Sequence, residues 1–385
     1  MRYQKSFVKR PHAEKDISSC GLIGFINRDG RYVTGDVIIK GIRSMHDRGN
    51  GLGGGFAAYG IYPEYHDLYA LHIMYDSKEV ALETEEYLQR HLRIEQAEDI
   101  PLRKTTRIPD HPSFKRYFVL PREEVNGEPL GQDDEMVNII MHINVLIDGA
   151  FVVSSGKNMG AFKGVGYPED LAEFFRLDDY EGYLWTAHNR FPTNTPGWWG
   201  GAHPFTLLDW SIVHNGEISS YGINRRYLEM FGYICTLMTD TEVVAYLLDL
   251  LVRRHKLTFE QACLVLAPPF WKDIDRMEEG RYREYTMLRM VYGSAALNGP
   301  FAFLLAFNGG LIGLNDRVKL RPLIVAECGE TTYMASEESA IRAVCPDVDR
   351  VWAPVAGEPV IVRAEVPGVR KVIRHRHHHV FVGGK

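Results

Sequence analysis

The sequence lacks the features that mark disulfide-rich, membrane-spanning and nucleic-acid-binding proteins. Its five cysteines are scattered without a CxxC pair, which argues against zinc or iron–sulfur ligation in this chain, and an odd number argues against a secreted disulfide scaffold. The most apolar long run, residues 137–153, is interrupted by His142, Asn144 and Asp148, so it predicts no membrane span. A formal net charge of −6 gives no electrostatic reason to expect nucleic acid or an anionic membrane as a partner.

The composition that is present is typical of a soluble globular protein. Hydrophobic residues make up 45% and charged residues 24% of the 385 residues, a length that suits one large domain or two. Residues 1–19 carry several charged side chains and no apolar core, so they are not a secretory signal. We therefore expect a cytoplasmic protein.

Hydrophobic periodicity and turn signals predict strands in groups and helices in groups. The predicted strands comprise residues 21–27, 56–59, 67–75, 136–147, 150–154, 301–307, 311–314, 323–326, 333–335 and 360–366. The predicted helices comprise residues 36–46, 77–92, 168–175 and 239–255, and a further helix that begins near residue 258 and ends at the prolines 268–269. Residues 93–131 are polar and show little periodicity, which favours loop and edge structure. The pattern indicates an α+β fold in which helices cover antiparallel sheets.

Two helix starts carry the sequence signature of a capping box, in which a threonine is followed three residues later by Glu or Gln. The first pair is Thr239 with Glu242 and the second is Thr258 with Gln261. Both pairs therefore predict where a helix begins.

Residues 186–217 are dense in small, aromatic and amide side chains and hold a single arginine, Arg190, between apolar flanks. Asn215-Gly216 directly follows an apolar segment. Asn-Gly in that position ordinarily predicts a hairpin turn. A turn and a functional role remain compatible, since a turn can also present hydrogen-bond donors.

Four motifs appear in a fixed order: CGLIGF from residue 20, HNRFPTNT from residue 188, AHPF from residue 202 and HNGEI from residue 214. Together they resemble the class II glutamine amidotransferases, which use an N-terminal cysteine as nucleophile. The closest resemblance is to the glutaminase domain of glutamate synthase in its stand-alone archaeal form. The resemblance runs from Cys20 to about Arg363 and implies a four-layer αββα sandwich of antiparallel sheets, of the N-terminal nucleophile hydrolase type.

The resemblance also implies how the chain is divided. Residues 1–19 would be a leader, residues 20–365 the amidotransferase domain with an insertion at about 93–135, and residues 366–385 a basic, histidine-rich segment. His375 and His377–379 of that segment could bind metal, but they lack the fixed spacing of a folded site, so adventitious binding is favoured and no metal site is predicted.

Cys20 is the predicted nucleophile. A free thiol with a pKa of about 8.5 is mostly protonated at neutral pH and needs a base. Removal of the leader would give Cys20 an α-amine with a pKa of about 7.7–8.0, which can relay the thiol proton through one water. If the leader is still attached, we expect Ser19 to occupy the place of glutamine. The alternative is a buried structural cysteine.

The remaining site residues are assigned from the matching motif positions. The Asn215 side chain and the Gly216 backbone N–H match the oxyanion hole of the family, a site whose single donors are worth roughly 10²–10³ in rate. Arg190 matches the arginine that binds the glutamine carboxylate, and Asp240 the acid that binds its ammonium, although an acid is favoured in the first turn of any helix. Thr193 is assigned to the substrate site with them.

Other motifs resemble the family without a role that can be derived. Arg48-Gly49 resembles the end of an HRG element whose histidine is Asp47 here, and Arg48 is predicted to support the substrate site. Residues 316–323 resemble a DR…LRPL signature and residues 335–337 an ASE signature.

Two loops have open alternatives. Residues 49–55 are rich in glycine but lack the lysine and serine of a phosphate-binding loop, so a flexible turn before a strand is favoured. Trp185, Trp198 and Trp199 could stack a base, but packing of a loop over the active site is favoured. Residues 49–55 and 193–201 are expected to move as lids.

The resemblance implies that glutamine is hydrolysed to glutamate and that the ammonia is delivered to a synthase partner. No cofactor is expected in this chain, and FMN, in a flavin-binding barrel, and iron–sulfur clusters are expected on the partner, which would aminate 2-oxoglutarate. The alternatives are a glutaminase for another aminating synthase, such as an N-methylglutamate synthase, and a non-catalytic regulatory subunit.

Overall fold

Antiparallel pairing builds every sheet in the computed structural model, which describes residues 19–122, 131–192 and 197–366. Most of the predicted leader, Thr193 and nearly all of the histidine-rich C-terminal segment lie outside the described residues. The strands of the described part are β1 (Gly21–Asn27), β2 (Val33–Thr34), β3 (Gly54–Tyr59), β4 (Tyr69–Tyr75), β5 (Leu92–Asp99), β6 (Ser113–Pro121), β7 (Ala150–Ser154), β8 (Met159–Gly164), β9 (Glu181–Gly182), β10 (Leu184–Asn189), β11 (Phe205–Leu207), β12 (Trp210–Gly216), β13 (Phe301–Phe307), β14 (Gly310–Asn315), β15 (Ile324–Cys328), β16 (Thr331–Ala335), β17 (Arg350–Trp352) and β18 (Val360–Arg363).

Helices lie between these strands in sequence. They are α1 (Asp36–Arg43), α2 (Lys78–His91), α3 (Gln132–Leu146), α4 (Pro168–Phe174), α5 (Tyr221–Glu229), α6 (Asp240–Leu248), α7 (Phe259–Leu266), α8 (Trp271–Ile274), α9 (Glu279–Val291) and α10 (Glu338–Val344). A π-helical turn, Asp249–Arg254, extends α6. Within the described residues, no helix is both long enough and apolar enough to cross a membrane.

Two large sheets face each other across a buried apolar layer. The first has the order β17-β15-β16-β1-β10-β3-β8 and the second the order β11-β12-β13-β14-β18. Leu22 and Ile26 of β1 lie in one buried cluster with Val213 of β12 and Leu304 of β13. Gly24 lies between the two β1 residues, and an added Cβ there would be only 3.0 Å from Leu304. The small residue therefore lets the sheets approach closely.

Helices cover the outer face of each sheet. Ile23 and Phe25 of β1 point away from the second sheet, as the two-residue alternation of a strand requires, and share a buried cluster with Ile38 and Ile42 of α1. The helices α1, α4 and α10 pack on the first sheet, and α6 packs on β11 and β12 of the second. The predicted four-layer αββα arrangement of antiparallel sheets is confirmed.

Between β3 and β8 the chain builds a further four-stranded sheet, with the order β5-β6-β4-β7 in the described residues, together with α2 and α3. The prediction of loop and edge structure over residues 93–131 is right in part: β5 is an edge strand, but β6 is an inner strand that pairs with both β5 and β4 and not a loop. β5 is an edge strand with several exposed polar side chains, so it carries no apolar alternation that would reveal it.

Residues 136–147 were also predicted wrongly, since they belong to helix α3 and not to a strand. Met136, Ile139, Ile140 and Ile143 are buried at helical spacing, and three acidic residues occupy the first turn, where they favour a helix N-terminus. Asp148-Gly149 is a hairpin turn signal between the two strands predicted at 136–147 and 150–154, but it forms a helix-to-strand connection, in which Gly149 adopts a φ of +86° before β7.

Several other sequence predictions are confirmed by the structure. The helices α2, α4 and α7 and the strands β1, β7, β13 and β14 lie where the pattern placed them, within a few residues. β13 and β14 pair as an antiparallel hairpin. The capping box of Thr258 and Gln261 is present. That of Thr239 and Glu242 is absent: the Thr239 side chain accepts from the N–H of Thr241, and Glu242 binds the preceding loop.

Candidate active site

A cavity of about 310 Å³ opens at one end of the two facing sheets, where β1 begins and where β10 and β12 end. Widely separated segments line it: Ser19, Cys20, residues 190–192, His203, residues 214–218, Tyr221, residues 238–241 and Arg321. The cavity thus brings together Cys20, Arg190, Asn215, Gly216 and Asp240, which the sequence assigned to one site.

The pairing of β1 with β10 places Cys20 beside the segment that follows β10. Gly21 pairs with Asn189, so Cys20, which precedes β1, and Arg190, which follows β10, come together. The Phe191 N–H donates to Cys20 Sγ at 3.2 Å, and Sγ lies 3.7 Å from the Phe191 carbonyl oxygen. Burial raises the pKa of the Cys20 thiol, while the Phe191 N–H and the charges of Arg190 and Arg321 oppose that rise. The thiol therefore needs a base to become a nucleophile.

Arg48 holds the backbone around Cys20 and is not among the residues that line the cavity. Its Nε donates to the Cys20 carbonyl oxygen at 3.1 Å, its Nη2 donates to Ser19 Oγ at 2.7 Å, and its Nη1 is bonded to the Glu337 carboxylate. The prediction that Arg48 supports substrate binding stays a prediction. Its observed contacts position the nucleophile segment.

The ASE motif acquires a structural role through the same contacts. Ser336 bonds to Leu22 of β1 in both directions, since its N–H donates to the Leu22 carbonyl at 2.9 Å and its Oγ accepts from the Leu22 N–H at 3.2 Å. Glu337, the next residue, binds Arg48. Residues 336–337 therefore fix the start of β1, and with it Cys20.

Asn215 and Gly216 lie at the end of β12 and are not a hairpin turn. Asn215 pairs with Ala302 and Gly216 with Phe301 of β13. The Asn215 side chain is buried, lines the cavity, and its Nδ2 has no hydrogen-bond partner among the described residues. Such a donor is available to a ligand oxygen.

Gly216 meets a requirement that a larger residue cannot satisfy. Its φ is +142°, and an added Cβ would lie 2.0 Å from the Pro300 carbonyl oxygen. Only glycine fits here, which keeps the backbone close to the cavity beside Asn215.

Arg190 and Asp240 give the cavity opposite charges. Arg190 is buried directly after β10, its N–H donates to the Gly53 carbonyl at 2.9 Å, and burial lowers its pKa while Cys20 and Asp240 raise it. Asp240 begins α6 and its Oδ2 accepts from the Ile218 N–H at 2.9 Å. A zwitterionic amino acid presents the complementary pair of charges.

Three histidines and a threonine form a buried polar layer next to the cavity, and the sequence assigned none of them a role. The Thr241 Oγ1 lies 3.0 Å from His203 Nε2 and 3.0 Å from His214 Nδ1. His188 stacks on His203 and its Nε2 lies 2.8 Å from the His214 carbonyl oxygen. Burial lowers the pKa of all three imidazoles, that of His188 to about 3, so they are neutral. His203 lies in the AHPF motif and His214 in the HNGEI motif, so these motifs were the sequence signal that could have placed both histidines at the site.

Arg321 was also missed, and its motif was the signal. The buried carboxylate of Asp316 accepts the N–H groups of Phe301, Val318, Leu320 and Arg321 at 2.9 to 3.4 Å. These bonds fold residues 316–321 into a tight reversal that directs Arg321 to the cavity.

Ser19 lines the cavity next to Cys20, and its occupation of the place of glutamine stays a prediction. Trp199 packs against Phe114 and Phe174, while Trp185 is fully buried in the core, which excludes base stacking by Trp185. Thr193 and residues 194–196 of the predicted lid lie outside the described residues.

A cysteine, an amide donor and a pair of opposite charges in one cavity are the groups that a cysteine enzyme needs to cleave the side-chain amide of an amino acid. The family model for "Glutamine amidotransferases class-II" matches residues 110–351, a span that includes Arg190, Asn215 and Asp240 and begins after Cys20. The chain belongs to this family of enzymes.

Several known proteins are similar to the chain. An uncharacterized protein of Archaeoglobus fulgidus is 54% identical over 353 residues, which cover 91% of this chain and 93% of that protein. The glutamine amidotransferase-like protein GlxB of Rhizobium meliloti is 28% identical over 214 residues, or 55% of this chain and 60% of that protein. Among solved structures, the B. subtilis glutamine phosphoribosylpyrophosphate amidotransferase is 17% identical with a TM-score of 0.44, over 89% of this chain and 47% of that chain. That last likeness is too weak to carry an argument.

Proposed function

We propose that this protein is the glutaminase subunit of a glutamate synthase-type enzyme, which hydrolyses L-glutamine and delivers ammonia to a separate synthase subunit. The observation that carries the glutaminase part is the shared cavity, in which Cys20, the free Asn215 amide donor and the Arg190–Asp240 pair meet. The cavity volume of about 310 Å³ lies within the usual range for a small-molecule site.

Each chemical step has a residue to perform it. Cys20 Sγ attacks the carboxamide carbon of glutamine, and its proton passes through the α-amine of mature Cys20 to the leaving nitrogen. The C–N bond breaks, ammonia leaves, and a thioester remains. Water hydrolyses the thioester to glutamate. Asn215 Nδ2 and the Gly216 N–H stabilise the oxyanion in both halves of the reaction.

Substrate recognition follows from the two charges. The planar Arg190 guanidinium binds the α-carboxylate through two parallel hydrogen bonds, and Asp240 binds the α-ammonium. Arg190→Lys keeps the charge but loses the fork, and Asp240→Asn loses the anion. Each should weaken glutamine binding by about 1–3 kcal/mol, visible as a raised KM. An unchanged KM in both variants would refute these two assignments.

The activity itself is tested by ammonia release from glutamine. Purified protein whose intact mass shows that it begins at Cys20 should release ammonia, and the Cys20→Ser variant should not. The Cys263→Ser variant should release ammonia at the wild-type rate, because Cys263 is buried in α7. Full activity in protein that retains residues 1–19 would contradict the role of the α-amine.

The partner is tested by coupling. The acceptor subunit, expected to carry FMN in a flavin-binding barrel together with iron–sulfur clusters, should raise the glutaminase rate in the presence of 2-oxoglutarate. Cys20→Ser should abolish glutamine-dependent synthesis and spare ammonia-dependent synthesis. If a different aminating synthase, such as an N-methylglutamate synthase, raises the glutaminase rate instead, that synthase is the partner. If the isolated chain hydrolyses glutamine at full rate and no partner changes that rate, the protein is a plain amidohydrolase.

A further inference from the structure

The charges that line the cavity do not match a bound amino acid one for one. Among the described lining residues, Arg190 and Arg321 are the permanent cations and Glu217 and Asp240 are the carboxylates. His203 and His214 add no positive charge, because burial lowers the pKa of both imidazoles. Glutamine offers one carboxylate and one ammonium. If Arg190 and Asp240 bind them, Arg321 and Glu217 have no role in binding these two groups, and Arg321 is the cation in excess of what the substrate requires.

The backbone at Arg321 is held in place by several converging hydrogen bonds. Four backbone N–H groups converge on the buried Asp316 carboxylate, including that of Arg321 itself at 3.4 Å. The Asp316 N–H in turn donates to the Phe301 carbonyl at 2.9 Å, which ties the reversal to β13 beside Gly216. The Nε of Arg321 is buried and has no hydrogen-bond partner among the described residues. Its head group therefore remains available at the cavity.

The reaction creates a negative charge that the substrate does not bring with it. Attack requires a thiolate at Cys20 and then places the negative charge on the former carboxamide oxygen. Both species are anionic while Arg190 is occupied by the α-carboxylate. The Arg321 charge acts on Cys20 and on His214, the residue next to Asn215. A cation at this position lowers the energy of both anions without being needed to bind glutamine.

We propose that the positive charge of Arg321 stabilises the anionic forms of Cys20 and of the acyl-transfer intermediates, whereas Arg190 binds the substrate. This inference rests on the proposed glutaminase function. It assigns a chemical role to the LRPL motif and separates the two arginines by the kinetic constant that each controls.

The test compares Arg321→Met and Arg321→Lys with Arg317→Met. Arg317 belongs to the same reversal but bonds to Asn298 and lies over the Phe270 ring, away from the cavity lining, so it is the matched control. For Arg321→Met we expect kcat for glutamine to fall about ten- to a hundredfold while KM changes less than about threefold. Arg321→Lys should lie between wild type and Arg321→Met, and Arg317→Met should match wild type.

A second measurement does not need turnover. The rate at which iodoacetamide alkylates Cys20, followed by peptide mass spectrometry against pH, reports the thiolate directly. Its profile should shift to higher pH in Arg321→Met, less in Arg321→Lys, and not at all in Arg317→Met. An unchanged profile, or a raised KM with unchanged kcat, would overturn the inference. A wild-type protein that releases no ammonia would instead refute the proposed function, and the alkylation profile would still decide the effect of Arg321 on Cys20. If Arg321→Met does not fold, the lysine variant decides both readouts.

Discussion

Asn215 offers a sharp test of the site because its side-chain Nδ2 donates no hydrogen bond to the described part of the protein. Its Nδ2 is buried at the cavity without a hydrogen-bond partner among the described residues, so truncation to alanine breaks no bond of that nitrogen there. As an oxyanion donor, however, it should contribute roughly 10²–10³ to kcat, or about 2.7–4 kcal/mol. Asn215→Ala should therefore lose catalysis and retain most of its stability. Asn215→Asp, of similar size but without the donor, should also lose catalysis.

Asn224 of α5 is the matched control. It is equally buried, but its Nδ2 donates to the Ser294 carbonyl at 2.7 Å and to the Ala296 carbonyl at 3.1 Å. Removing that amide leaves two carbonyl groups without their donor, at about 1–3 kcal/mol for a buried unsatisfied group. Asn224→Ala should thus lose stability and keep kcat.

The two variants are compared by ammonia release at saturating glutamine and by urea unfolding. The expected result is a crossed pattern, in which each variant fails the assay that the other passes. The reasoning would be refuted if Asn215→Ala kept kcat within about threefold of wild type while losing as much stability as Asn224→Ala.

A glycine, a buried lysine and a cysteine pair give three further expectations. Gly216→Ala should lower both the melting temperature and the activity, because the new Cβ would clash with a backbone oxygen 2.0 Å away, whereas Gly222→Ala, with nothing within 4 Å, should be harmless in the same melts. Burial lowers the pKa of Lys163 to about 7. Between about pH 7 and pH 10 the unfolded chain therefore binds one more proton than the folded chain, so the stability of the wild type should rise with pH relative to that of Lys163→Met, by at most roughly 1.4 kcal/mol per pH unit. Parallel stability curves from urea unfolding would contradict this. The thiols of Cys328 and Cys345 lie 3.7 and 3.6 Å from the same carbonyl oxygen, that of Asp347. Oxidised glutathione should therefore join them, with release of two reduced glutathione molecules. The intact mass should fall by two hydrogens, and Cys328→Ser should prevent that loss.

The parts of the fold that could be predicted are those whose sequence pattern is local. The glycine-flanked apolar run of β1 and the capped amphipathic helix α2, whose Ser77 side chain accepts from the Val80 N–H at 3.2 Å, were found because neighbouring residues decide them. The apolar run of α3 was misassigned because a short apolar run alone does not distinguish a buried helix from a strand. Its length, beyond that of most strands, was the better evidence.

The parts of the site that could not be predicted depend on contacts between distant segments. Arg321 reaches the cavity only because Asp316 gathers backbone donors from β13 and from its own reversal, and no local pattern encodes that convergence. Glu242 fits a capping box by spacing, but its carboxylate instead accepts the N–H groups of Thr236 and Leu237 at 3.1 and 2.9 Å. In both cases a side chain binds backbone groups that only the tertiary fold brings within reach.

One feature of the site geometry does follow from the sequence once the strand pairing is known. Leu22 of β1 and Val213 of β12 belong to the buried layer between the two sheets, so residues two positions away on each strand face the same side. Cys20 and Asn215 are those residues, and Arg190, which comes opposite Cys20 when the β1–β10 register is continued by one residue, shares that face. A slip of one residue would turn Leu22 out of the core and Cys20 out of the cavity together. The apolar alternation that stabilises the sandwich therefore also fixes the direction in which the nucleophile points.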